Sequence, residues 1–183
     1  MNHIWVKIIF WVAFLCYAIP GIIYTSKIAY YIETNDILQL LSYSVLSCAF
    51  LAFSVYTFEN SLDKSIHDND LDNTRTLYKS PARLGYALMV LSFLITIAVS
   101  YKKGEPLYFQ RIVAITAYLC LALKVDAGIF LVIAFYCLSL FLAVRASFAD
   151  NIYAASKMGL IVYYATYVYI IIQEKLGKKI KAA

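Results

Sequence analysis

The stretch LYFQRIVAITAYLCLALKVDAGIFLVIAFYCLSLFLAV, residues 107–144, decides the architecture. As one continuous helix it would rise about 57 Å, nearly twice the roughly 30 Å of hydrocarbon in a bilayer. As two helices, the first carries Arg111 near one end and stops at Lys124, and the uncharged residues between them would rise about 18 Å. Leu107–Val144 is therefore a tight helical hairpin turning near KVDAG, or one span with an interfacial or cytosolic extension.

Outward from this stretch lie four further apolar segments: Ile4–Tyr24, Ile37–Phe58, Leu84–Tyr101 and Met158–Ile172. The chain is 63% hydrophobic and 15% charged, whereas charged residues make up about a quarter of a soluble globular protein. We therefore expect an all-α, polytopic helical membrane bundle of four to six transmembrane helices, with six preferred. Residues 1–183 form a single transmembrane domain carrying a hydrophilic loop at 59–83 and a basic tail at 173–183. The first segment, IWVKIIFWVAFLCYAIPGIIY, is too long for a signal-peptide core and lacks a small-x-small cleavage site after it, so it is read as a retained span. Pro20-Gly21 is expected to stop its helix.

Cytoplasmic loops collect Lys and Arg. Six spans with the N-terminus inside place ten of the sixteen bases on the cytoplasmic side, against nine for five spans. Both termini are thus expected in the cytoplasm. The tail lysines Lys175, Lys178, Lys179 and Lys181 follow an apolar run closely and suit anionic lipid head groups. Tyrosine is abundant, and Tyr24, Tyr30, Tyr31, Tyr101, Tyr108 and Tyr153 fall where spans meet head groups. Tyr163, Tyr164, Tyr167 and Tyr169 instead crowd within two turns mid-span, so protein partners are expected for their hydroxyls.

The longest hydrophilic stretch is ENSLDKSIHDNDLDNTRTLYKSPAR, residues 59–83, with its acids early and its bases late. Asp68, Asp70 and Asp72 have the spacing that opens an EF-hand loop. Asn73 stands where that loop needs its glycine, and Lys79 where it needs a bidentate glutamate, so no metal is expected. Arg75, Lys79 and Arg83 recur every four residues and would line one face of a short helix. Ser80 and Pro81 suit the start of the third span. Acids repelled by anionic lipid and bases held against it make 59–83 a candidate docking platform for a cytosolic protein.

Ser44, Cys48 and Ala52 recur every four residues of the second segment, a pattern that lets helix backbones approach closely, within one chain or between copies. Lys124 and Asp126 are simply wet if KVDAG is an exposed turn, and are ion-pathway candidates if it is buried. Lys7 and Arg111 lie near segment ends, where long side chains snorkel to the interface. The four cysteines fall in apolar runs without a C-x-x-C spacing and are read as packing residues. Neither G-x-S-x-G, H-E-x-x-H nor a phosphate-cradling glycine loop occurs, and both histidines lie outside the spans. No catalytic residue, cofactor or direct nucleic-acid contact is expected.

These features read as a non-enzymatic membrane subunit that self-associates and recruits or signals to a cytosolic partner. The alternative is a small oligomeric ion channel or transporter. The layout of a compact apolar bundle, a charged loop after the second span (ENSLDKSIHDNDLDNTRTLYKSPAR) and a lysine tail (KLGKKIKAA) resembles the membrane component of the Kiwa anti-phage defence system. The resemblance implies a bacterial inner-membrane protein that oligomerises, senses phage-associated perturbation of the envelope and recruits a soluble DNA-binding partner. It carries over no functional residue.

Overall fold

Backbone polar groups in hydrocarbon have no water to bond, and a helix satisfies them within the segment itself. The computed structural model describes residues 3–62, 80–106, 109–142 and 148–182. Its elements are α1 (His3–Glu33), α2 (Ile37–Leu62), α3 (Ser80–Lys102), α4 (Phe109–Ala122), α5 (Ala127–Leu142) and α6 (Phe148–Ala182). No strand occurs among the described residues. Four helices are long and apolar enough to cross a membrane, over Lys7–Glu33, Ile37–Asn60, Ala82–Lys102 and Ile152–Gln173. The 14 residues of α4 and 16 of α5 rise only about 21 and 24 Å.

The stretch at 107–144 forms a helical hairpin. Lys124 ends α4 in the left-handed region (φ 62°), with Val125 N–H bonded to Cys120 O at 2.8 Å and Lys124 N–H to Leu121 O at 3.1 Å. That pair of bonds is the Schellman closure usually built on glycine. Gly104 (φ 67°) closes α3 in the same way, through Glu105 N–H to Ser100 O at 2.9 Å and Gly104 N–H to Tyr101 O at 3.1 Å. Asp36 caps α2: its Oδ1 accepts Gln39 N–H at 3.2 Å and its Oδ2 accepts Gln39 Nε2 at 3.0 Å.

Two expected boundaries are corrected. Pro20 does not stop α1, which continues to Glu33; leaving the helix there would strand backbone groups in an apolar setting. At the next residue, the Gly21 carbonyl accepts both Thr25 Oγ1 at 2.9 Å and Ser47 Oγ at 3.2 Å. The last helix begins at Phe148 rather than Met158 and runs through the basic tail to Ala182. Polar residues Asp150, Asn151, Ser156 and Lys157 hid its first turns from a hydropathy reading.

Each helix packs against its sequence neighbours, and α6 returns to α1, closing an up-and-down ring. The six described helices alternate in direction, so α1 begins and α6 ends at the same end. This terminal end also holds the end of α2, the start of α3 and the α4–α5 turn; the far end holds the α1–α2 turn, the end of α3, the start of α4, the end of α5 and the start of α6. Backbones approach closely in the ring. A Cβ on Gly128 would lie 2.9 Å from both Ala117 O and Leu121 N, and one on Gly159 would lie within van der Waals overlap of Cys16 Sγ.

Arginines secure both ends of short α4 against α3. At the terminal end Arg83 Nε donates to Ala122 O, the last residue of α4, at 3.0 Å. At the far end Arg111 donates to Ser100 Oγ, which donates to Glu105 Oε2 at 3.1 Å.

The ring holds its buried polar groups inside, among an aromatic and aliphatic core, and turns apolar side chains outward. Ser42, Ser47, Ser54, Thr57, Asn60 and Ser92 are buried, while Ile22, Leu84, Phe109, Leu123, Phe130 and Phe141 are exposed. A soluble monomer rarely exposes contiguous apolar surface on this scale, whereas lipid tails demand it. The chain is an integral membrane protein.

Candidate functional site

Position along each helix decides what enters the ring. On α6, residues 153, 156, 157, 160, 163, 164 and 167 follow the three-and-four spacing of one helix face. The early part of that stripe is polar (Tyr153, Ser156, Lys157) and the later part aromatic (Tyr163, Tyr164, Tyr167). The interior is correspondingly divided.

Toward the terminal end the ring is filled by tyrosine. Tyr17, Tyr86, Tyr118 and Tyr164 are fully buried, from α1, α3, α4 and α6. Their hydroxyls pair with one another, as a polar group away from water requires. Tyr17 and Tyr164 hydroxyls lie 2.9 Å apart, and those of Tyr118 and Tyr136 lie 2.7 Å apart. Tyr17 also stacks on Phe53 of α2 with centroids 5.0 Å apart, so all six helices contribute to one aromatic core.

Above this core, toward the far end, lies a cavity of about 210 Å³ to which every helix contributes at least two residues. Its inner wall is apolar and aromatic, including Phe50, Met89, Phe135 and Leu160, and Tyr136 belongs to both cavity and core. Its outer wall is polar, formed by Gln110 and Arg111 at the start of α4, Ser139 near the end of α5, and Ser156 and Lys157 in α6. Two cations and, among the described residues, no carboxylate line it. Gln110 Oε1 is buried without a hydrogen-bond partner among the described residues. A buried acceptor costs about 1–3 kcal/mol when unmet.

Beside the cavity, Tyr24 meets Tyr43 and Tyr153, each at 5.7 Å between centroids. Lys27 Nζ sits 5.6 Å from the Tyr43 ring centre and 6.0 Å from that of Tyr153, close enough for cation–π attraction. Aromatic rings and a lysine at this level suit the head-group zone.

No known family model, curated protein or solved structure matches this chain.

The candidate residues taken from the sequence are not gathered at this cavity. Asp68, Asp70, Asp72, Arg75 and Lys79 lie outside the described residues, while Arg83 is at the terminal end bonded to α4. Lys124 and Asp126 are exposed in the α4–α5 turn, the arrangement in which they belong to water. Cys48 is exposed on the outer surface with Ser44 and Ala52 half-buried, and the small residues that α2 turns inward are Ser47, Ala49 and Ser54. Lys175, Lys178, Lys179 and Lys181 extend the helical backbone of α6. The sequence reading missed Gln110, Lys157 and Ser139. Arg111 carried a signal, as an ionisable group at membrane depth, and assigning it to snorkelling set that signal aside.

Proposed function

We propose that this chain is a non-enzymatic integral membrane subunit that holds a ligand in the far-end cavity and signals to a cytosolic protein partner at the terminal end. The observation that carries the reading is the division of the ring interior. A cavity with a polar mouth, lined from all six helices, sits directly on a tyrosine core that reaches toward the other end. An occupant touching Tyr136 touches the hydroxyl pair that joins α5 to α4, so filling the cavity bears on helix packing. The end at which α1 begins, α2 ends, α3 begins and α6 ends is assigned to the cytoplasm, because six spans with that side inside give it ten of the sixteen bases, by the bias of Lys and Arg toward the cytoplasm. Self-association, residence in a bacterial inner membrane and a part in phage defence belong to the same proposal through the resemblance noted above.

The alternative, a small channel or transporter, is less favoured because fully buried Tyr17, Tyr86, Tyr118 and Tyr164 fill the ring beyond the cavity. Copurification in mild detergent tests the proposal. A soluble protein should accompany the wild-type chain and be lost when Asp68, Asp70 and Asp72 are changed together to Asn. Ion flux in reconstituted vesicles with no accompanying protein would replace this reading with the alternative.

A further inference from the structure

The charges along each helix set the thickness of bilayer that it suits. Between charged neighbours lie uncharged runs of 19 residues in α1 (8–26), 22 in α2 (37–58) and 18 in α3 (84–101). As helices these rise about 28, 33 and 27 Å, close to the roughly 30 Å of hydrocarbon. In α4 the run between Arg111 and Lys124 is 12 residues, a rise of about 18 Å. Tilting lowers that height further.

Both limits of the short belt are fixed by contacts. At the terminal end the chain leaves α4 at Lys124 and turns through Asp126, both exposed, and the unpaired backbone groups of a turn belong with water. At the far end Arg111 donates to Ser100 Oγ, itself bonded to Glu105 in the exposed turn after α3. From Arg83 to Ser100 α3 rises about 26 Å, whereas from Arg111 to Ala122 α4 rises about 17 Å. The arginine side chains bridge that difference through their bonds to Ala122 O and Ser100 Oγ. The backbone of α4 is thus recessed relative to α3.

The face between these limits is turned outward. Ile112, Thr116, Leu119 and Leu123 are exposed at three-and-four spacing, while Ala114, Ala117, Tyr118 and Leu121 are buried. Hydrocarbon of ordinary thickness against this face would cover Lys124 or the Arg111–Glu105 end, and charge is expensive there. A short apolar stretch is accommodated by thinning of the bilayer beside it.

We propose that the outer face of α4 thins the bilayer locally and selects short-chain phospholipid as its boundary lipid. The height of the belt, bounded by charge at both ends, names this occupant. The surface is separate from the far-end cavity and does not depend on what that cavity holds.

The test uses the full chain with Trp5 and Trp11 changed to Phe and one tryptophan returned at an exposed position. Ile112→Trp and Leu119→Trp report on α4, while Leu15→Trp on α1 and Val55→Trp on α2 serve as references. In phosphatidylcholine vesicles, quenching by a brominated dioleoyl lipid is measured in competition with dimyristoleoyl- or dioleoylphosphatidylcholine, giving the relative affinity of each chain length at each face. At both α4 positions the shorter lipid should be favoured by at least about three-fold, and at the references the two should agree within about two-fold.

Equal preference at α4 and at the references would overturn a thinned sector, whether all four positions favour the short chain or none does. Absence of quenching at both α4 positions, with quenching kept at Leu15→Trp, would show that a second copy of the chain covers the face and would overturn lipid as its occupant. Two α4 probes keep the test decisive where one of them disturbs folding, as judged by circular dichroism.

Discussion

The tyrosine core makes a quantitative prediction at the pair Tyr118 and Tyr136. Their hydroxyls are 2.7 Å apart, Tyr118 is fully buried and Tyr136 is 3% exposed. Changing either residue to Phe removes one oxygen and leaves the other buried without that partner. In a soluble core an unmet hydroxyl costs about 1–3 kcal/mol. Between membrane helices the mean coupling is about 0.6 kcal/mol with a maximum near 1.7, because a chain unfolded in the membrane also finds partners. The short distance and the burial place this pair in the upper part of that range. We therefore expect Tyr118→Phe and Tyr136→Phe each to destabilise by about 1–1.5 kcal/mol. The double variant should cost little more than either single, giving a coupling of about 1 kcal/mol. Reversible unfolding in mixed micelles, followed by circular dichroism on all four proteins, measures the cycle. Single effects that add within about 0.3–0.5 kcal/mol would mean that the hydroxyls do not pair, and the join between cavity and core would go with them.

Other positions test the ring and its surface. Gly128→Leu should lower the melting temperature by the equivalent of about 1–3 kcal/mol, since the Cβ would meet backbone atoms of α4 rather than a yielding side chain. An unchanged melting temperature would show that the α4–α5 hairpin is looser than described. Lys124→Gly should stabilise by about 0.5–1 kcal/mol by relieving a left-handed lysine, and destabilisation would contradict that closure. Cys48 is exposed, so Cys48→Leu should leave the stability of the single chain unchanged and lower the oligomer mass measured by light scattering. A lower melting temperature at unchanged mass would place Cys48 in packing within one chain.

Helix number and the hairpin at KVDAG were legible because hydropathy and helix rise are one-dimensional quantities. The residues around Pro20 were not, since whether a helix continues past proline depends on what its next turns pack against, here Tyr24 against Tyr43 and Phe50 of α2. The first ten residues of α6 escaped for a related reason. Tyr153, Ser156 and Lys157 among them line the cavity, and a hydropathy window takes polarity for exposure to water. The need of Tyr163, Tyr164 and Tyr167 for protein partners was readable, because a mid-span hydroxyl must be met, and all three are buried, whereas Tyr169, expected to share their setting, is 48% exposed on the outer face. Their partners Tyr17 and Tyr86 were not readable, because ring closure, which brings α1 against α6, leaves no local pattern. The cavity was least visible of all: its polar residues come from the starts of α4 and α6 and the end of α5, each one an ordinary helix-end residue alone.

Sided labelling of single cysteines tests the central claim, a six-helix ring whose two ends lie on opposite faces of the membrane. In a chain with Cys16, Cys48, Cys120 and Cys137 replaced by Ala, a cysteine is placed at Glu105, at the far end, or at Asp126, in the α4–α5 turn. A membrane-impermeant maleimide is then applied to spheroplasts before and after permeabilisation. Position 105 should be labelled from outside and position 126 only after permeabilisation. Labelling of both from one face would mean that the α4–α5 hairpin does not cross, and labelling of 126 alone from outside would put the terminal end, with its 59–83 stretch, out of reach of any cytosolic partner.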